Sequence, residues 1–192
     1  MKHLLLLFLA LTALTFSACE DDDDPLATTG ELNYAGANVT APTLPQGTNT
    51  FAAYFPSNIT SDFTGRNLET VDFFMFEVPD RTIVRIHDDS NGDREPGNQL
   101  YSIDLTQRVN NRGEVSHRLP TPLEITGEGL WLVVEVETAQ SGDRAVGCDA
   151  GQNYSPNGDL ILFSTNNEFD SFQTLSGGER VNWNISATIS AE

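Results

Sequence analysis

Lysine is nearly missing from this chain: Lys2 is the only one among 192 residues. Basic residues total 10 against 28 acidic ones, giving a formal charge of −18. Such a field repels phosphate backbones and anionic headgroups, which argues against nucleic acid as a partner. Cysteine is scarce too, with Cys19 and Cys148 alone. A chain with one thiol left in its folded part forms no internal disulfide and must rest on its core. Histidine occurs only at His3, His87 and His117, and neither a His-Glu-x-x-His nor a Gly-x-Ser-x-Gly motif is present. Imidazole-based zinc and triad chemistry therefore lack their usual residues. No apolar run reaches the about 20 residues that a membrane-crossing helix needs. Nor does any apolar set recur at helical spacing beyond one turn, so helices of usable length are not expected.

What is present begins with a leader. Lys2 and His3 form a small positive head, Leu4 to Phe16 an apolar run, and Ser17 and Ala18 a small-residue site before Cys19. Residues 1–18 read as a secretory signal peptide, removed before the protein folds. The junction resembles the lipobox of bacterial lipoproteins, with Phe16 in place of the usual Leu. That resemblance implies a diacylglycerol on the Cys19 thiol, and hence a membrane partner without a transmembrane helix. Lipid contributes about 0.8 kcal/mol per buried methylene, and two or more chains anchor stably. Glu20, Asp21, Asp22, Asp23 and Asp24 follow directly. This run resembles the export signal of surface lipoproteins in Bacteroidota-type bacteria, implying an outer-membrane anchor that faces the cell exterior. As chemistry alone it is a solvated tether, because like charges repel. Residues 19–47 lack sustained periodicity and read as a lipidated, acidic, flexible tether.

From Thr48 the text changes to short apolar runs separated by turn signals, the pattern of an all-β domain over 48–192. Val71 to Val78 is nearly continuous in apolar residues, as for a strand covered on both faces. Leu100 to Leu105 alternates, with Tyr101, Ile103 and Leu105 on one face, and Leu123-Glu124-Ile125 reads as a short strand. Leu130 to Val136 is a strong strand bearing Trp131. The last strand sends Val181, Trp183, Ile185, Ala187 and Ile189 one way and Asn182, Asn184, Ser186 and Thr188 the other. About 8–10 such strands suit a two-sheet antiparallel sandwich, jelly-roll-like in form.

An ordered set of segments carries a further resemblance. It runs from Phe51-Ala52-Ala53-Tyr54-Phe55-Pro56 through Val84-Arg85-Ile86-His87 and Pro96-Gly97-Asn98-Gln99 to Leu130–Val136. Gly147-Cys148-Asp149-Ala150-Gly151, Gly158-Asp159-Leu160-Ile161 and Asn182-Trp183-Asn184-Ile185 complete it. Together these resemble β-sandwich modules that recur in secreted and surface proteins of Bacteroidota-type bacteria. The resemblance implies a jelly-roll-like fold and a non-catalytic adhesive or accessory role. It carries no ligand residues with it.

Candidate sites follow from side-chain chemistry. Asp89, Asn91, Asp93 and Glu95 alternate in an oxygen-rich loop that could wrap calcium, although Gly92 is misplaced for an EF-hand. The same loop reads equally as a polar turn. Asp149 sits among small residues, and Asp143, Tyr154 and Asp159 could join it on one rim as a ligand-binding set. An aspartate in a turn more commonly satisfies its own backbone. Trp131 and Trp183 sit on patterned strands and are expected in the core, which leaves Tyr154 as the better sugar-stacking candidate. Three functions remain: a binding or adhesion module for a glycan or other extracellular ligand, a docking subunit of an envelope-protein complex, and, remotely, a glycoside hydrolase on a jelly roll.

Overall fold

Alternation decides which way each strand faces, and two sheets follow from it. The computed structural model describes residues 30–92 and 95–191; Cys19, the acidic run 20–24 and Asp93 lie outside them. The strands are β1 (Gly30–Leu32), β2 (Gly47–Phe55), β3 (Asn67–Met75), β4 (Arg81–Asp88) and β5 (Gln99–Asp104). They continue with β6 (Gly113–Glu124), β7 (Leu130–Thr138), β8 (Leu160–Leu162), β9 (Asp170–Ser171) and β10 (Ile185–Ile189). Helix is confined to short turns, α1 at Ser57–Thr60 and α2 at Phe172–Ser176, with a 3-10 turn at Ser61–Phe63.

One sheet has the order β1-β10-β3-β6 and the other β5-β4-β7-β2-β8-β9. The antiparallel pairs are nested: β4 with β5, β3 with β6, β2 with β7, and β1 with β10. A chain doubled back once and then rolled up gives this pairing, which is the jelly roll. The fold class expected from the sequence is the one observed. Between the sheets lie Phe51, Phe55, Leu68, Val71, Phe73, Ile86, Leu132, Val134, Ile185 and Ala187, all fully buried. Trp183 sits at the centre, edge-on to Phe51 at 5.0 Å and to Phe172 at 5.4 Å.

Three expectations require correction. The flexible tether does not extend to residue 47. Gly30 pairs with Ile189 and Leu32 with Ala187, while Leu32, Ala41 and Leu44 are buried. Those apolar residues are spaced irregularly because each enters the core singly, so no period announces them. The strand over 71–78 is not covered on both faces by other elements. β3 ends at Met75, and the outward Phe74 and Phe76 lie instead under arginines. Finally, Leu123 and Glu124 are the end of the long β6 rather than a strand of their own. Pro120 and Pro122 hid it, yet β6 is an edge strand, where proline is tolerated. Its register with β3 shifts in that stretch, between Leu68 and Thr70.

Candidate binding surface

The connection from β7 to β8 is tied to the approach to β10 by one buried carboxylate. Asp149, only 5% exposed, accepts from the amides of Gly36 (2.9 Å), Gly151 (2.8 Å) and Asn182 (2.7 Å), and from Asn182 Nδ2 (3.0 Å). Burial alone would raise its carboxyl. The bonds from Asn182, Gly36 and Gly151 outweigh that effect and hold it below the usual carboxylate range. Gly151 turns with φ 64°, and a Cβ there would meet the Arg180 carbonyl at 2.1 Å. Only glycine fits that approach.

Asn182 is the residue that sequence reasoning missed. Its place on the polar side of the last alternation suggested an outward side chain, whereas it is completely buried. Besides holding Asp149, its Oδ1 accepts from Ser155 N at 2.9 Å and its Nδ2 donates to Asn153 O at 3.3 Å. The alternating pattern fails here because regular pairing of β10 begins only at Ile185. An asparagine between Val181 and Trp183 was the available signal.

Tyr154 and Asp159 belong to the same neighbourhood. Asp159, fully buried, accepts from the Tyr154 hydroxyl at 3.2 Å and from Gln173 N at 2.9 Å. The Arg180 guanidinium lies 5.6 Å from the Tyr154 ring centroid. Burial first, and then the Asp159 carboxylate, raise the Tyr154 phenol. Asp143 stands apart: it accepts from Gln140 N at 3.1 Å and lines a hollow with Glu77, Asp80 and Arg144. The proposed rim therefore contains Asp149, Tyr154 and Asp159 without Asp143, and its aspartates bond to the protein's own backbone.

The acidic loop is organised by Asp88, which the calcium pattern did not include. Asp88 accepts from Ser90 N (3.0 Å), Ser90 Oγ (2.6 Å), Asn98 N (2.7 Å) and Asn98 Nδ2 (3.1 Å). The Ser90 hydroxyl leads in holding its carboxyl down at about 2. Asn91 donates to Pro96 O at 2.9 Å, and Glu95 is exposed. Asp89 turns away to the outer face of the six-stranded sheet. There it takes the Tyr54 hydroxyl at 2.5 Å and lies 3.5 Å from Trp131 Nε1. Gly129 makes room, since a Cβ there would come within 2.7 Å of the Asp89 carboxylate. The four proposed calcium ligands thus diverge as far as they are described. No cluster of three His, Cys, Asp or Glu side chains occurs among the described residues.

Both tryptophans are buried, but in different layers. Trp183 donates Nε1 to Leu160 O at 2.8 Å within the core. Trp131 belongs to a second cluster, on the outer face, with Ala52, Val133 and Leu160. Tyr54 stacks on it at 4.6 Å and Phe169 lies tilted at 5.9 Å. Neither indole offers a free face for stacking on a sugar. Cys148 is buried, and burial pushes its thiol up to about 12, so it is an inert core group.

No known family and no curated protein matches the chain. Among solved structures it is similar to a surface layer associated protein of Clostridium difficile, crystallised as its cysteine protease and lectin-like domains. The TM-score is 0.61 at 16% identity, over 85% of this chain and 36% of that one. At such identity the likeness is one of fold, and this chain spans about a third of its neighbour's length. No described helix is long and apolar enough to cross a membrane.

Proposed function

We propose that this protein is a non-catalytic, lipid-anchored surface protein whose β sandwich binds a glycan or another extracellular ligand. The carrying observation is that Asp88 and Asp149 each accept four hydrogen bonds from neighbouring residues. Carboxylates so engaged stiffen loops and are poorly placed to act as an acid–base pair. A stiff loop frame favours binding, because less order must be imposed when a ligand arrives. The likeness in fold to a surface protein described as having lectin-like domains supports the same reading. Docking into a protein complex is the second reading. Against it, the large exposed apolar residues among those described, Val39, Val78, Leu100 and Leu175, come from four separate segments of the sequence. Four such side chains are few for a docking patch, which needs several hundred Å² of contiguous apolar surface.

Two experiments test the proposal. Cys19→Ser should abolish acylation and release the protein from membranes, whereas replacing Glu20–Asp24 with alanine should keep acylation and remove protease accessibility on intact cells. Unchanged membrane pelleting of Cys19→Ser would end the lipoprotein reading. A glycan array probed with the full chain, with and without calcium, should show selective binding. Capture of envelope proteins with a blank array would favour docking instead.

A further inference from the structure

The chain holds few cations, yet two of them border one hollow. A cavity of about 290 Å³ at the β5–β6 connection is lined by Arg108, Asn110, Asn111, Arg112, Glu114 and Ser116, over Leu105 and Val109. The connection is anchored: Leu105 and Val109 are buried, and the amides of Arg108 and Val109 both donate to Leu105 O, at 2.8 and 3.0 Å. Arg108 Nη1 donates to His117 Nδ1 at 3.1 Å, and His117 Nε2 meets the Tyr101 hydroxyl at 2.7 Å. A ring nitrogen that accepts from a guanidinium carries no proton, so His117 is neutral, with its proton on Nε2. Burial and then the Arg108 charge push its pKa down in the same sense. Arg108 is thereby held without being neutralised. Arg112 lies over the Phe76 ring at 3.9 Å, fixed by a π face that leaves its charge intact. Neither arginine forms a salt bridge among the described residues, unlike Arg81 and Arg85.

We propose that this hollow binds the carboxylate of an acidic sugar, a uronate residue of a larger glycan. Guanidinium forks match a carboxylate bidentately, which a point charge does not. The amides of Asn110 and Asn111 and the Ser116 hydroxyl suit ring hydroxyls. Glu114 accepts from a hydroxyl and disfavours more highly charged anions such as sulfate. The volume lies near the small end of ligand pockets, fitting one ring rather than several. The assignment rests on the binding-module reading above and names its ligand class.

Titration calorimetry on the full acylated chain in detergent tests it, with trigalacturonate, its methyl ester and inorganic sulfate as probes. Trigalacturonate should bind at least about tenfold more tightly than the ester or sulfate. Arg108→Ala and Arg112→Ala should each weaken it about tenfold, as for loss of a charge-assisted contact. Arg112→Lys should fall between Arg112→Ala and the parent, and the melting temperature of each variant checks folding. Equal binding of acid and ester, equal binding of sulfate, or unaltered affinity in both alanine variants would overturn the uronate site. If neutral glycans bind, and bind equally to the Arg108→Ala, Arg112→Ala double variant, the uronate site falls while the binding module stands. If neither acidic nor neutral glycans bind, the uronate site falls together with the glycan form of the binding reading.

Discussion

A sandwich has two open sides, and this one closes them with opposite chemistry. On the side of β1, β8 and β9, buried aspartates take backbone N–H groups, and Asn182 locks three loop segments together. On the side of the edge strands β5 and β6, a stacked Tyr101–His117 pair bridges the sheets and passes its last bond to an exposed Arg108. The first closure uses anions and leaves them engaged. The second uses a neutral ring and leaves cations facing outward. On the binding site proposed above, stability and ligand contact would fall to different edges.

The comparison breaks most easily at the first side. Trp183→Ala should cost about 3–5 kcal/mol in denaturant unfolding, as for other buried aromatics. A loss within about 0.5 kcal/mol would mean that the core does not depend on it. Asn182→Ala should cost about 1–3 kcal/mol, because Ser155 N loses its acceptor and Asp149 one donor inside a buried network. If Asn182→Ala and Asp149→Asn were additive, the network described here would not act as a unit.

Acid should separate the two sides. His117 has a folded pKa below its unfolded value, near 6.5, so the unfolded chain takes the proton first. Its contribution is complete above that value and is lost as pH falls through the folded one. Asp149 is also depressed, so its contribution is complete above about 3.9 and is lost at lower pH. Stability measured against pH should therefore fall in two stages, and His117→Gln should remove only the upper one. A single stage would deny the second closure its neutral imidazole.

The second side should be the more tolerant. Arg112→Ala is expected to change stability by no more than about 0.5 kcal/mol, since the side chain is exposed. A larger loss would make its stacking on Phe76 structural. The acidic loop should show the smallest effect. At fixed ionic strength, calcium and magnesium should shift the melting temperature equally, because Asp88 already organises the turn. A calcium-specific rise that disappears in the Asp89→Ala, Asp93→Ala double variant would restore a metal site there.

The sequence made the sheets legible, because strand alternation is a local signal: Val181, Trp183, Ile185, Ala187 and Ile189 all face the core that their spacing implied. It did not reveal β1 or most of β6. β1 is three residues long and is defined by its partner, while the prolines of β6 mimic a loop. Of the candidate site, Asp149, Tyr154 and Asp159 were readable as turn residues in one connection. The role of Asn182 was not, since it depends on contacts up to 33 residues away in sequence. Tyr101 and His117 were equally silent, because their meeting joins the edge strands β5 and β6 of different sheets.

The nested pairing also dictates the order of assembly. The β4–β5 hairpin can close as soon as it is made, but β1 pairs only with β10, so Gly30 must wait for Ile189. Synthesis delivers the amino-terminal strand first, and closing the longest loop last makes completion slow. Until Ile185–Ile189 arrives, β3 keeps an open edge, and an unpaired edge is a template for joining other chains. Loss of β10 should therefore leave a chain prone to aggregation, with β1 to β9 intact in sequence.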